Sequence, residues 1–181
     1  GPRPGARRMS DVLTGFHGKL PSLGDFVSRG LPGGFVAFWD SWATAHLARR
    51  ADWPEGGLRL RLRSGGRVAA GVAIPGTDRV GRRFPLAAFV IAADLPGPEG
   101  LDPWCDAALA LLRAAQEGGQ GPEGLAGALD TLPPPEGAAE GPVMALWTKG
   151  HDPFACDAAA PEAALSALFA PGPNCSGSSN P

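Results

Sequence analysis

The chain has 181 residues, enough for one domain that buries about 70% of its unfolded surface without covalent staples. A formal charge of −2 and a pI near 5.9 argue against a protein built to coat nucleic acid or an acidic membrane surface. Three widely spaced cysteines, Cys105, Cys156 and Cys175, give neither a secreted disulfide framework nor a zinc pattern, and no apolar run approaches the ~20 residues of a membrane span. The expected address is the reducing cytoplasm, because the arginine-bearing N-terminus has no apolar stretch behind it and does not read as a signal peptide.

Residues 1–12 are polar, aperiodic and predicted to be a disordered leader; residues 1–8 precede the first methionine, Met9, and are left out of the fold reading. From Gly15 the chain reads as a short strand followed by a shaped loop, because Pro21 cannot donate to a ladder and Gly24-Asp25 supplies a turn. Leu31-Pro32 then opens a helix whose Phe35, Phe38, Trp39, Trp42 and His46 recur at helical spacing and face inward. Leu58 to Arg63 alternates leucine with arginine, which predicts a half-buried strand with Arg59, Arg61 and Arg63 on a solvated face. Ser64-Gly65-Gly66 signals a hairpin, Val68 to Ile74 the returning strand, and Phe84 to Ala92 a third, so that 58–92 forms a meander around a polar loop at 76–83.

The second half reads as helices that cover this sheet. Asp102-Pro103 can cap and begin one, with Trp104, Ala108, Leu111, Leu112 and Ala115 on its buried side and Gly118-Gly119 at its end. A weaker helix follows at 122–129, then a proline-rich connection at 132–141, a strand at 143–148 and a last helix at 161–169. The tail at 171–181 is predicted to be disordered. This order favours a single α+β domain over 13–170, with a mainly antiparallel sheet flanked by helices. The predicted structural core is Phe26, Phe35, Trp39, Trp42, Trp104 and Trp147.

The run Gly15-Phe16-His17-Gly18-Lys19-Leu20-Pro21, continued by Gly24-Asp25-Phe26-Val27, Arg29 and Leu31-Pro32, and then by Phe38-Trp39-Asp40-Ser41-Trp42, resembles the opening of TagF-type accessory proteins of bacterial type VI secretion. A second block, Gly71 to Pro75 with Asp78-Arg79-Val80-Gly81-Arg82-Arg83-Phe84-Pro85-Leu86, and a third, Ala145-Leu146-Trp147-Thr148, follow in the family's order. The resemblance implies a non-enzymatic posttranslational repressor of type VI secretion that works through protein contacts, some members of the family engaging its forkhead-associated scaffold protein. Apart from the resemblance, no zinc spacing, phosphate loop or dinucleotide fingerprint occurs and the arginine face of 59–67 has no aromatic interleaving, so no metal, cofactor or nucleic acid is expected.

Lys19, Asp25, Arg29, Asp78, Arg79, Arg82 and Arg83 are the polar candidates for a partner-binding surface, since arginine forks hold carboxylates or phosphates well. An equally open reading has this set, with Asp40, tie the two loops together as buried ion pairs. No catalytic residue is assigned: His17, His46 and His151 are scattered, and neither a nucleophile elbow nor a phosphate loop occurs. The alternative to a regulator is an anion or small-ligand sensor, or an enzyme, that uses the Asp78–Arg83 loop.

Overall fold

The computed structural model describes residues 11–169. In chain order these form β1 (Leu13–Lys19), β2 (Phe26–Arg29), α1 (Gly33–His46), β3 (Leu58–Ser64), β4 (Arg67–Ile74), β5 (Leu86–Ala92), α2 (Pro98–Gln116), α3 (Pro122–Asp130), β6 (Met144–Trp147), β7 (Phe154–Cys156) and α4 (Glu162–Leu168). The leader up to residue 10, the tail from 171 and Cys175 lie outside the described residues. All seven strands join one open antiparallel sheet in the order β2-β1-β5-β4-β3-β6-β7. The α+β fold and the predicted meander are therefore present.

The meander forms the centre of the sheet because its turn chemistry and pattern agree. Gly65 and Gly66 take φ of 58° and 79°, the left-handed pair that a two-residue hairpin needs, and they set the register Ser64↔Arg67 through Leu58↔Ala73. On one face Leu58, Leu60 and Leu62 pack with Trp39, Trp42 and Leu47 of the α1 region and with Leu165 of α4. Trp39 and Trp42 stack with ring centroids 5.5 Å apart, and the Trp42 indole N–H donates to the Ala158 carbonyl at 2.8 Å. On the other face Val68, Ala70, Val72 and Val90 meet Leu101, Trp104, Leu112, Leu125 and Leu129 of α2 and α3. The sheet thus has a core on both faces.

This double cover corrects the reading of the arginine row. Arg59 is fully buried and Arg61 nearly so, because α2 and the loop before it lie over the face that alternation alone assigns to solvent. β3 is also an interior strand, paired with β4 and β6, so its arginines protect no edge. Arg59 reaches Asp102 Oδ1 at 2.7 Å and Asp106 Oδ1 at 2.8 Å, two carboxylates four residues apart on one face of α2. Burial opposes its charge, but the two carboxylates raise its pKa above the ordinary arginine value. Arg61 instead donates to three carbonyls, Leu95 at 2.9 Å, Pro96 at 2.9 Å and Ala139 at 2.7 Å, holding two irregular segments against the sheet. Its pKa is lowered, chiefly by burial and secondly by Arg63.

Other boundaries differ from expectation for identifiable reasons. The stretch read as loop after Lys19 contains β2, an edge strand of four residues in register Lys19↔Phe26 to Phe16↔Arg29. Phe26, expected in the core, is 43% exposed because it sits at the start of this edge strand. Phe35 is only partly buried, whereas Trp39, Trp42, Trp104 and Trp147 are all buried. α2 begins at Pro98, not Asp102: Pro98 occupies the tolerated first turn and Pro103 lies inside the helix. The three-residue β7 was not foreseen from the sequence. Among the described residues no helix is long and apolar enough to cross a membrane.

Candidate functional site

The β1–β2 ribbon and the loop between β4 and β5 meet at one corner of the sheet. Glycines make the approach possible, since a Cβ on Gly15 would run into the Arg29 carbonyl of β2 and one on Gly18 into the Pro85 carbonyl. The Gly-Phe-His-Gly run is thereby explained as backbone packing. Its side chains alternate: Phe16 enters the core under α2 and α3, while His17 turns to the α1 face and places Nε2 3.2 Å from Asp40 Oδ1.

Asp78 organises the corner. Its side chain is fully buried; Oδ1 accepts from the backbone N–H groups of Val80 at 3.0 Å and Arg82 at 2.9 Å, while Oδ2 lies 3.2 Å from Lys19 Nζ and 2.8 Å from Arg82 Nε. Burial pushes the carboxyl pKa up, but these four donors outweigh it and hold the group down at about 2, against 3.8 ordinarily. Backbone bonds close the loop around the charge, from the Asp78 N–H to the Arg82 carbonyl at 3.0 Å and from Gly81 to Asp78 at 3.0 Å. One further backbone bond and one side-chain bond fasten it to the β1–β2 turn: the Arg79 N–H donates to the Leu23 carbonyl at 2.8 Å and Arg82 Nη2 to the Gly24 carbonyl at 2.9 Å.

The polar candidates consequently separate. Lys19 and Asp78 are buried and spend their charges on each other and on the loop, so they hold the corner's shape. Arg29 projects to the opposite face, where Nε meets Glu123 Oε2 of α3 at 2.8 Å. Asp25 is exposed and accepts from its own chain at the Phe26 N–H, 2.7 Å away. Arg79 and Arg82 both lie against Gly24, one residue from Asp25, yet among the described residues neither pairs with that carboxylate. Arg79, Val80, Arg82 and Arg83 are exposed, Val80 by 69%, beside the half-exposed ring of Phe26. That ring stacks on His17 at 5.7 Å, meets the edge of Phe84 at 4.9 Å and carries Lys19 Nζ 4.8 Å from its centroid. The outcome is a rigid, basic rim with two apolar side chains.

A second polar network went unseen in the sequence. Asp106 pairs with Lys149 Nζ at 3.0 Å as well as with Arg59, and the Trp147 indole donates to Asp102 Oδ1 at 3.0 Å. Burial raises the Asp106 pKa, but hydrogen bonds from Arg59 and Lys149 bring it below the ordinary carboxylate value. The available signal was Asp102 and Asp106 at i, i+4 opposite an arginine-bearing strand. The Cys105 thiol between them is pushed up to about 12 by burial, with Asp102 and Asp106 adding to the rise against Arg59, which leaves it inert as a nucleophile near neutral pH. Among the described residues no three His, Cys, Asp or Glu side chains gather as a metal site requires.

Residues 15–57 match the family model of the TagF N-terminal domain, described as type VI secretion system-associated. Among solved structures, the crystal structure of PA0076 from Pseudomonas aeruginosa PAO1 is similar, with a TM-score of 0.58 and 29% sequence identity over 86% of this chain and 76% of that one. No curated protein gives a significant match.

Proposed function

We propose, from the premise that this chain is a TagF-type protein associated with type VI secretion, that it restrains the secretion system through protein contacts and catalyses no reaction. In this reading it acts after translation, in the cytoplasm, on a regulatory or scaffold protein of the system, of the forkhead-associated type. The observation that carries the choice of a contact surface is the division of labour around Asp78. The buried carboxylate takes up Lys19, the Arg82 Nε–H and the inward bonds of the loop, and what remains outside is Arg79, Val80, Arg83 and the exposed side of Arg82 with Phe26 alongside. Arginines on a preorganised loop beside the exposed aromatic ring at the start of β2 suit a partner surface, because little conformational freedom is left to lose on docking.

Deleting the gene should raise export of the system's tube protein and overproduction should lower it; unchanged export in both strains would remove the repressor reading. The rival, an anion-binding sensor, draws on an open cleft of about 410 Å³ beside Arg83 that also includes Arg50 and Trp53. A rise in melting temperature with phosphate that disappears in Arg83→Ala would favour that rival.

A further inference from the structure

At the opposite end of the sheet from the 78–83 loop, a groove of about 430 Å³ runs between the start of α1 and the β3–β4 hairpin. Its lining is largely apolar and includes Phe35, Phe38, Leu62, Ile91 and Val143. Val143 is 60% exposed, and both phenylalanines are only partly buried, so this surface remains open to solvent. Among the described residues the charged side chains in the lining are Arg63 and Arg67, and no carboxylate lines it. Among the described residues neither arginine forms an ion pair: Arg67 donates to the Asp11 carbonyl at 2.6 Å, and Arg63 approaches the Ala139 carbonyl at 3.4 Å. Arg63 also borders a neighbouring cleft that holds Asp94 and Glu140, which leaves Arg67 as the stronger unbalanced charge.

The start of α1 adds to this polarity. Its N-cap, Pro32, offers no side-chain acceptor, and the first turn carries no acidic residue, so the positive end of the helix is uncompensated. Gly34 lines the groove in helical backbone, and a Cβ there would meet nothing within 4 Å. Glycine weakens a helix relative to alanine, and no neighbour in the fold requires it at this position. It leaves the helix backbone open to close approach. Neither flanking segment has the composition that complements such a groove: residues 1–10 carry Arg3, Arg7 and Arg8 and no carboxylate, and residues 170–181 contain neither a carboxylate nor a large apolar side chain.

We propose that this groove docks a partner protein through a short segment bearing one or two large apolar side chains flanked by Asp or Glu. The apolar groups fill the space between Phe35, Phe38 and Ile91, and the carboxylates meet Arg67, Arg63 and the first-turn N–H groups of α1. The surface is separate from the 78–83 rim and does not depend on the type VI assignment.

The test is selection of a random dodecapeptide phage library on the full chain, followed by anisotropy titration of the most enriched peptide, synthesised with a fluorescein label. Enriched sequences should place acidic residues beside aromatic or aliphatic ones, and their binding should weaken with salt. Gly34→Leu, which fills open space and keeps a good helix former, should weaken binding about tenfold or more while leaving the melting temperature at or above that of the wild type. The separate pair Arg63→Glu and Arg67→Glu should weaken it as well. Failure to enrich any peptide, enrichment of peptides without acidic residues, or unchanged titration of Gly34→Leu would each overturn the proposal. So would a wild-type dimer in sedimentation that Gly34→Leu converts to monomer, since a second copy would then occupy the groove.

Discussion

Two groups of arginines in this molecule have opposite fates. Arg59 and Arg61, alternating with leucine along β3, are buried under α2 and its preceding loop, whereas Arg79, Arg82 and Arg83, in a loop rich in polar residues, stand in solvent. A strand's alternation fixes which side chains share a face, but whether that face is wet depends on what the rest of the chain lays over it. For β3 the cover is α2, and Asp102 and Asp106 arrive with it as the counter-charges that make arginine tolerable there. The 78–83 loop reaches the reverse result with a buried anion, Asp78, that draws inward only the groups it needs.

If the comparison holds, substitution should separate the groups by stability. Arg59→Ala is expected to have the largest effect, about 3 kcal/mol, by stranding Asp102 and Asp106; their partial exposure keeps this at the lower end for a broken buried pair. Urea unfolding measures it, and an unshifted midpoint would mean that the network contributes nothing net. Arg61→Ala should cost about 2 kcal/mol, since the Leu95, Pro96 and Ala139 carbonyls lose a donor and only some recover water. Faster amide exchange around 93–97 and 138–141 should accompany that loss.

Asp78 gives the comparison a pH dependence. Its pKa is depressed to about 2 from 3.8, so its ionised form adds stability that is present above the unfolded value and is lost as pH falls through 3.8 towards about 2. Melting temperatures of the wild type should therefore fall more steeply with acid in that window than those of Asp78→Asn, which should already be less stable at neutral pH. Parallel curves would show that the carboxylate is not held as its four donors imply. Arg79→Ala and Arg83→Ala should have the smallest effects, within about 0.5 kcal/mol each, the range for exposed positions.

Much of this architecture was legible from local pattern. The Leu-Arg alternation, the Gly65-Gly66 turn and the aromatic spacing of α1 each obey one rule over enough residues to speak clearly. β2 and β7 were not legible, because four residues around Ser28 and three around Ala155 show no period, and both are edge strands defined by one neighbour. Within the site, the sequence brought Asp78, Arg82 and Lys19 to notice as a polar set but could not say which would be inside. That distinction rests on the Leu23 and Gly24 carbonyls docking the loop, which are backbone groups without a side-chain signal. Phe26 was misplaced for the related reason that an aromatic beside a buried histidine can still stand at the sheet's rim.

In the proposed function the outer arginines of the 78–83 loop serve recognition while Asp78 serves the fold. The most direct test is the double variant Arg79→Ala with Arg83→Ala, returned to a strain lacking the native gene and followed by tube-protein export and by copurification of the proposed forkhead-associated partner. The account expects a protein with the wild-type melting temperature that neither restrains export nor retains its partner. A double variant that is equally stable and represses as well as the wild type would contradict it.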